Sequence, residues 1–303
     1  MPEAQPSIAV VGPGAVGGLL AALLHRDGAD AVVVARESSA KRIAERGLTI
    51  RSGRYGDWDS AVPAVTSAPE GAHVVLATKA YAVAEVATRL ADDHPAEVLS
   101  LLNGVEHIAT LRAALPDTRI IGAAIAIEAL RVEPTVLEHR SAFARLTVPA
   151  DAAESPLVAA LAHAGVDVVV GGSENEVLWT KLRFLAPHAL LTSRTQTGIG
   201  DAIADDPALT AALLDEIAAV ATAEGLATTG AELFGILDGM PAGMRSSLQA
   251  DLAAGGDHEV DAIGGAVARA GRRHGILTPT LDALVEQLSR PAPPASDDEA
   301  VAS

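Results

Sequence analysis

The sequence predicts an α/β N-terminal domain followed by an all-α C-terminal domain, and three observations carry that expectation. A short β-rich run, Ser7–Val11, passes at once into a glycine-rich turn and a helix. β-rich and helical runs then alternate as far as Val170. Beyond Gly171-Gly172 the β-rich runs stop, and apolar residues recur at helical spacing to about Leu288. With 303 residues the chain is long for one core, which also favours two domains.

Composition narrows the classes of function. Hydrophobic residues make up 49% and charged residues 20%, the balance of a packed globular protein. The formal net charge of −17 argues against nucleic acid or an anionic membrane as a main partner, while leaving room for a small anion in a local basic pocket. The absence of cysteine excludes disulfides, thiolate metal sites and thiol nucleophiles. The nine histidines show no HxH or HExxH spacing, so no metal site is expected. The N-terminal MPEAQPS has no basic region typical of a signal peptide, and no apolar run approaches the ~20 residues that span a bilayer. A soluble, cytoplasmic protein is expected.

The elements follow in order. Ser7–Val11 is a strand, and Gly12-Pro13-Gly14-Ala15-Val16-Gly17-Gly18 follows directly. A helix from Leu19 to His25 stops near Asp27-Gly28. Strand, GxGxxG and helix in that order form the dinucleotide-binding arrangement of the Rossmann fold. Gly12 allows the tight turn, Gly14 lets the backbone approach a pyrophosphate, and Gly17 lets helix and strand pack closely. The helix N-terminus offers N–H groups and a positive dipole end to the phosphates. Gly12, Gly14, Ala15, Val16 and Gly17 are therefore expected cofactor-binding residues.

The second strand, Ala31–Ala35, ends at Arg36 rather than at an acid. An acid there would accept bonds from ribose hydroxyls, whereas an arginine can pair with a 2′-phosphate, so NADP is favoured over NAD. Ser38 and Ser39 could add hydroxyls; Glu37 next door points the other way, and the plain reading of Arg36 is a solvated loop charge.

Ala72–Thr78 is a buried-type strand ending at Lys79, and Val98–Leu102 is another ending at Asn103-Gly104. Ligands of open α/β sheets collect at the carboxyl ends of strands, which makes Lys79 and Asn103 candidates. Asn-Gly is equally a plain turn. Ile120–Leu130 and Ala142–Val148 are expected to extend the sheet, and a helix (Ser155–Ala164) and a strand (Val166–Val170) to complete a Rossmann domain over residues 1–171. A helical domain over 172–290 follows, with helices at Ser173–Leu191, Pro207–Glu224, Ala231–Leu237 and His258–His274. Gly264-Gly265 in the last would permit close helix contact. Residues 291–303, rich in proline, alanine and acid, are expected to be a disordered tail.

Ser173–Leu191 holds the residue of most interest. Ser173 and Glu176 have capping-box spacing, and Lys181 sits in the second turn among Leu178, Trp179, Leu182 and Phe184. A lysine in such company either snorkels to solvent or is held in a cleft.

Taken together the chain resembles the ketopantoate reductase family (2-dehydropantoate 2-reductases) over nearly its whole length. The resemblance is carried by GPGAVGG at 12–18, Arg36, TKA at 78–80, LLNG ending at Gly104, WTKL at 179–182, SSLQAD at 246–251, HEVDAIGG at 258–265 and AGRRHGILTP ending at Pro279. It implies reduction of a small 2-keto acid with NADPH. Lys181 matches the family's catalytic lysine and Glu259 its site carboxylate. Ser247 matches a substrate-binding serine, Asn103 an active-site asparagine, and Lys79 and Arg36 NADPH contacts. The implied chemistry is hydride transfer to the keto carbon while the Lys181 ammonium hydrogen-bonds the carbonyl oxygen and then protonates it, with Glu259 orienting Lys181 or the new hydroxyl. Lys181 pairing with the substrate carboxylate is the other possible role.

One departure bears on the substrate. The family carries asparagines four and eight residues after the lysine, on the same helical face. Here those positions are Leu185 and Ala189, and the chain has only two asparagines, Asn103 and Asn175. His188 lies on that face and could supply a polar contact, although Pro187 before it is expected to disturb the helix. Two substrate readings follow, ketopantoate itself or a more apolar keto or imine compound in a recut pocket. A non-catalytic NADPH-binding sensor is the rival from another class, and retention of Lys181 and Glu259 argues against it. The alanine and leucine content of the helical domain could support a homodimer.

Overall fold

β1 (Ile8–Val11) is buried along its whole length, as an apolar strand with parallel neighbours on both sides must be. In the computed structural model, which describes residues 7–290, it is followed by α1 (Ala15–Arg26), β2 (Ala31–Val34), α2 (Glu37–Arg46), β3 (Leu48–Ser52), β4 (Trp58–Ser60) and β5 (Ala64–Val65). Next come β6 (His73–Leu76), α3 (Val83–Asp93), β7 (Glu97–Ser100), α4 (His107–Ala114), β8 (Arg119–Gly122) and β9 (Ala124–Ala126). The hairpin strands β10 (Ala129–Glu133) and β11 (Val136–His139), then β12 (Arg145–Val148), α5 (Pro156–His163) and β13 (Asp167–Val170), close the series.

The main sheet has six parallel strands in the order β5-β2-β1-β6-β7-β8. The order in which strands are added reverses between β1 and β6, the switch point at which such sheets open a crevice beyond their carboxyl ends. α1 supplies Leu19, Leu20, Leu23 and Leu24 to the core beneath. The amino edge is tied by a buried carboxylate. Glu97 Oε1 accepts from the Ser155 hydroxyl at 2.8 Å and lies 3.0 Å from His73 Nδ1, joining β7, β6 and the cap of α5. That leaves the carboxyl edge to carry the candidate site residues.

The expectation that Ile120–Leu130 and Ala142–Val148 extend this sheet is corrected. Only β8 joins it. The Gly122 N–H is taken by the Glu174 carboxylate at 2.8 Å, and the chain leaves the sheet after Ala123. β9 then pairs with β12 in a three-stranded sheet with β13, while β10 and β11 join β3 and β4 in a four-stranded sheet. An uninterrupted apolar run gives no sign of where a chain changes sheets.

α6 (Glu174–Thr195) is one continuous helix, and the chain divides within it into two compact units, at Leu182 and Arg183; the sequence places its domain boundary at the glycine pair just before this helix. The second unit continues with α7 (Ile199–Asp205), α8 (Pro207–Ala223), α9 (Gly230–Asp238) and α10 (Ser247–Ala253). A π-helical turn (Asp261–Gly265) leads into α11 (Ala266–Arg273), and α12 (Pro279–Ser289) follows. The expected tail at 291–303 lies outside the described residues. Caps set these helices. Asp206 accepts from the Leu209 N–H ahead of α8, and Thr229 and Glu232 form a capping box on α9.

Leu190, Leu213, Ile217, Leu233, Val267 and Leu281 are buried in this unit. The close contact expected at Gly264 is present, since a Cβ there would lie 2.6 Å from Val285 Cγ2 and 3.3 Å from Leu190 Cδ1. The helix expected over His258–His274 begins later, so Glu259 lies just outside it.

Candidate functional site

The glycine turn between β1 and α1 is built by sterics. Gly12 has φ +93°, and a Cβ there would lie 2.7 Å from Thr78 Cγ2. A Cβ on Gly17 would lie 2.2 Å from the Gly12 carbonyl oxygen, so only glycine lets α1 start this close to β1. Gly14, the N-cap of α1, has no atom of the described residues beyond its chain neighbours within 4 Å of a Cβ position, and a φ of −70° that any residue adopts. Its missing side chain serves space outside the protein. The first-turn N–H groups of α1, at Ala15, Val16 and Gly17, have no intrahelical acceptor. Beside the turn, Thr78 Oγ1 is buried without a hydrogen-bond partner among the described residues. An open backbone cradle, free N–H groups and an orphaned hydroxyl fit the pyrophosphate end of a dinucleotide. Arg36 is the exposed N-cap of α2, with Glu37 its first residue. Lys79 caps a short 3₁₀ turn after β6 and is half-buried, as is Asn103 after β7, where Gly104 takes φ +86°.

The first turns of α6 are firmly anchored. The Ser173 N–H donates to Glu176 Oε2 at 2.6 Å and the Glu176 N–H to Ser173 Oγ at 3.2 Å, forming the expected capping box. The Ser173 backbone N–H, with its hydroxyl, holds the Glu176 carboxyl below the usual range. Glu174 ties the same turn to β8 through Gly122 and to α4 through Arg112, whose Nη2 donates at 3.0 Å. Lys181, half-buried, stands between the fully buried Trp179 and Leu182.

His107 is a residue the sequence reading missed. It opens α4 with 4% exposure, and its Nδ1 lies 3.1 Å from the buried Ser100 Oγ. Burial pushes its imidazole down to about 4; the Gly104 carbonyl opposes the shift and the Lys181 charge adds to it. The Asn103-Gly104 turn, His107 and Lys181 thus share one electrostatic neighbourhood at the carboxyl end of β7. The signal was available, because His107 follows Asn103 by one helical turn's worth of residues, but a histidine opening a helix has no diagnostic spacing.

In the second unit, α6 remains helical through Pro187, so the proline does not end the helix. His188 is buried, and burial lowers its pKa despite a backbone bond to Met244. The Thr192 hydroxyl donates to the His188 carbonyl oxygen at 2.7 Å and sits 2.9 Å from Ser246 Oγ, which in turn accepts from the Gln249 N–H at 3.1 Å. His188 Nε2, Ser193 Oγ and both amide atoms of the 2%-exposed Gln249 are buried without a partner among the described residues. Of the other expected residues here, Ser247 is exposed at the first position of α10 and Glu259 is 2% exposed ahead of the π-helical turn. Leu185 is half-buried and Ala189 fully so. Gln249 and Thr192 were not singled out from the sequence, where nothing marks either as polar and interior. Among the described residues no helix is long and apolar enough to cross a membrane, and no group of three or more His, Asp or Glu side chains could hold a metal ion.

Comparison with known proteins agrees with this architecture. The family model described as ketopantoate reductase PanE/ApbA matches residues 8–152, and its C-terminal counterpart matches residues 175–291. A 2-dehydropantoate 2-reductase from Caulobacter vibrioides is 31% identical over 94% of this chain and 99% of its own. The crystal structure of a PanE/ApbA family ketopantoate reductase from Ralstonia eutropha superposes with a TM-score of 0.83 at 27% identity, covering 93% of this chain and 97% of that one. The ternary structure of D-mandelate dehydrogenase with NADH and anilino(oxo)acetate gives the same TM-score of 0.83 at 21% identity, again over 93% of this chain and 97% of that one, a likeness of fold.

Proposed function

Because the chain belongs to the ketopantoate reductase family, whose members are oxidoreductases acting on CH–OH and C=O groups, we propose that it is an NADPH-dependent reductase of a small 2-keto acid, converting 2-dehydropantoate or a close relative to the 2-hydroxy acid. The observation that carries this reading is Lys181, a half-buried lysine held by a doubly anchored helix start in a chain with an open dinucleotide cradle. NADPH, when bound, supplies the hydride. Gly12, Gly14 and Gly17 with the N-terminus of α1 would hold its pyrophosphate, Arg36 and Lys79 would meet its phosphates, and Asn103 would be an active-site contact. Lys181, as ammonium, donates a hydrogen bond to the keto oxygen and passes it a proton as negative charge develops there. A neutral His107 favours this, because the low-lying pKa leaves Lys181 without a second cation beside it. Glu259 keeps the orienting role the family resemblance gives it, with Ser247 and His188 as substrate contacts. Residues 172–290 form the substrate domain and the face of a homodimer, and pantothenate biosynthesis in the cytoplasm is the proposed setting.

Leu185 and Ala189 support a second reading. Apolar groups, one half-buried and one buried, stand where the family places amides, and a site lacking such donors discriminates against a polar substrate. The D-mandelate dehydrogenase likeness is compatible with a more apolar 2-keto acid. Steady-state oxidation of NADPH, with NADH as control, across ketopantoate and a panel of apolar 2-keto acids separates the readings. A kcat/KM for ketopantoate of about 10⁴ M⁻¹s⁻¹ or above supports the first. Turnover confined to apolar acids supports the second. NADPH binding without turnover of any of them overturns both in favour of a sensor.

A further inference from the structure

Beside the glycine turn lies a cavity of about 330 Å³, walled by Pro13 of the turn, Ser39 and Arg42 of α2, and Arg131, Glu133 and Pro134 at the tip of the β10–β11 hairpin. The two arginines are 89 positions apart (131 − 42) and reach one cavity because β11 pairs in parallel with β3, which follows α2 directly. Neither guanidinium has a hydrogen bond or ion pair among the described residues. Several arginines of this unit are paired, whereas Arg36, Arg46, Arg51 and Arg145 have no protein partner among the described residues. Arg54 bonds Asp167 at 2.7 Å, Arg112 bonds Glu174 at 2.9 Å and Arg140 bonds Glu138 at 2.8 Å. In a chain with 39 acids to 22 lysines and arginines, two exposed guanidiniums that line one cavity without a protein partner offer a site for an anion from outside. Glu133, in the same wall, pairs with neither.

The position specifies the anion. A pyrophosphate on the cradle of Gly14 and the α1 N-terminus directs the adenosine half of a dinucleotide toward the end of β2 and the start of α2. Arg36 caps that helix, and the Ser39 N–H bonds the Arg36 carbonyl at 2.9 Å, so Ser39 and the cavity adjoin the place where the ribose 2′ position is read. Forked guanidiniums suit a phosphate monoester dianion better than a hydroxyl. We propose that Arg42 and Arg131 clamp the 2′-phosphate of NADPH from two sides, so that the hairpin, and not Arg36 alone, sets the choice of NADPH over NADH. The inference rests on the cofactor reading above and adds to it an arm from outside the main sheet. Glu133 is the counterweight. Its charge opposes the phosphate, and removing it strengthens the clamp.

The test is titration of the full-length protein with NADPH and with NADH, followed by nicotinamide fluorescence, with 2′,5′-ADP and 5′-AMP as competitors. Arg42→Ala and Arg131→Ala are each expected to weaken NADPH and 2′,5′-ADP by about tenfold or more while leaving NADH and 5′-AMP within about twofold. Unchanged NADH binding also certifies that the variants are folded. Glu133→Gln is expected to tighten NADPH only; weaker NADH binding in that variant would mean that Glu133 accepts ribose hydroxyls, and would overturn the clamp. Wild-type protein that binds NADH as tightly as NADPH overturns the cofactor reading and the clamp together. Wild-type protein that prefers NADPH, with both arginine variants keeping that preference, overturns the clamp and leaves the cofactor reading standing.

Discussion

The glycine turn and the second half of α6 meet their tasks by opposite means. In the turn, side chains are absent where they would do harm. Gly17 clears the Gly12 carbonyl, Gly12 takes a left-handed φ, and Gly14 leaves open space. In the second half of α6 and the start of α10, polar side chains are present where they are costly. His188 Nε2, Ser193 Oγ and the Gln249 amide stay buried without partners among the described residues, at roughly 1–3 kcal/mol for each unsatisfied group. A backbone cradle fixes a ligand shared by many proteins, and needs only sterics. Polar groups held unpaired in an apolar interior suit recognition of one particular ligand, and are tolerated at the expense of stability.

The largest expected effect separates chemistry from cofactor binding. Lys181→Ala should lower kcat by about 10²–10⁴-fold with NADPH affinity changed by no more than about twofold. Single-turnover kinetics and fluorescence titration check this, and comparable losses in both would mean that Lys181 holds the cofactor as well as serving the chemistry.

Next, two glycines of the turn should part company. Gly17→Ala places a methyl 2.2 Å from a carbonyl oxygen and should cost about 3 kcal/mol, the upper end for overpacking. Gly14→Ala meets no further atom of the described residues within 4 Å, so calorimetry should show an unchanged Tm while NADPH affinity falls about tenfold or more. Equal loss of Tm in both variants would remove the distinction between packing and ligand approach.

A third effect is read in pH. His107 has its folded pKa lowered from 6.5 to about 4. Above 6.5 neither state carries the proton. As pH falls from 6.5 toward 4 the unfolded chain takes up a proton that the folded imidazole refuses, so stability is present above this window and lost through it. The loss is on the order of 3 kcal/mol by pH 4, with no further contribution below. Urea denaturation across pH 4–7 should show this slope in the wild type, and His107→Phe should flatten it.

The smallest effect concerns the orphaned amide. Gln249→Leu fills the same interior with an apolar group and should stabilise by about 1–2 kcal/mol in urea denaturation. Destabilisation would show that the amide is paired, and would weaken the contrast between the two regions.

Legibility followed the same division. The turn at 12–18, the parallel strands beside it, and the capped start of α6 are legible in the sequence, because each depends on residues within a few positions of one another. The strands after Gly122 are not. Ile120–Leu130 reads as one apolar run, yet a Glu174 carboxylate from the next domain's first helix takes the Gly122 N–H and the chain passes into two further sheets. Nothing in the sequence marks His107 or Gln249, because burial, which makes them chemically unusual, is not written in their neighbours.

Local sequence therefore determined the cradle, the helical caps and the identity of the lysine, since steric exclusion and i-to-i+3 bonding act within a single turn of chain. The tertiary structure decided which polar atoms lose water, which strands share a sheet, and how Arg42 and Arg131 come to one cavity. Desolvation and strand pairing are properties of what surrounds a residue in space, and that can come from far along the chain, as with Ser52 and His139, 87 apart and 3.0 Å from each other.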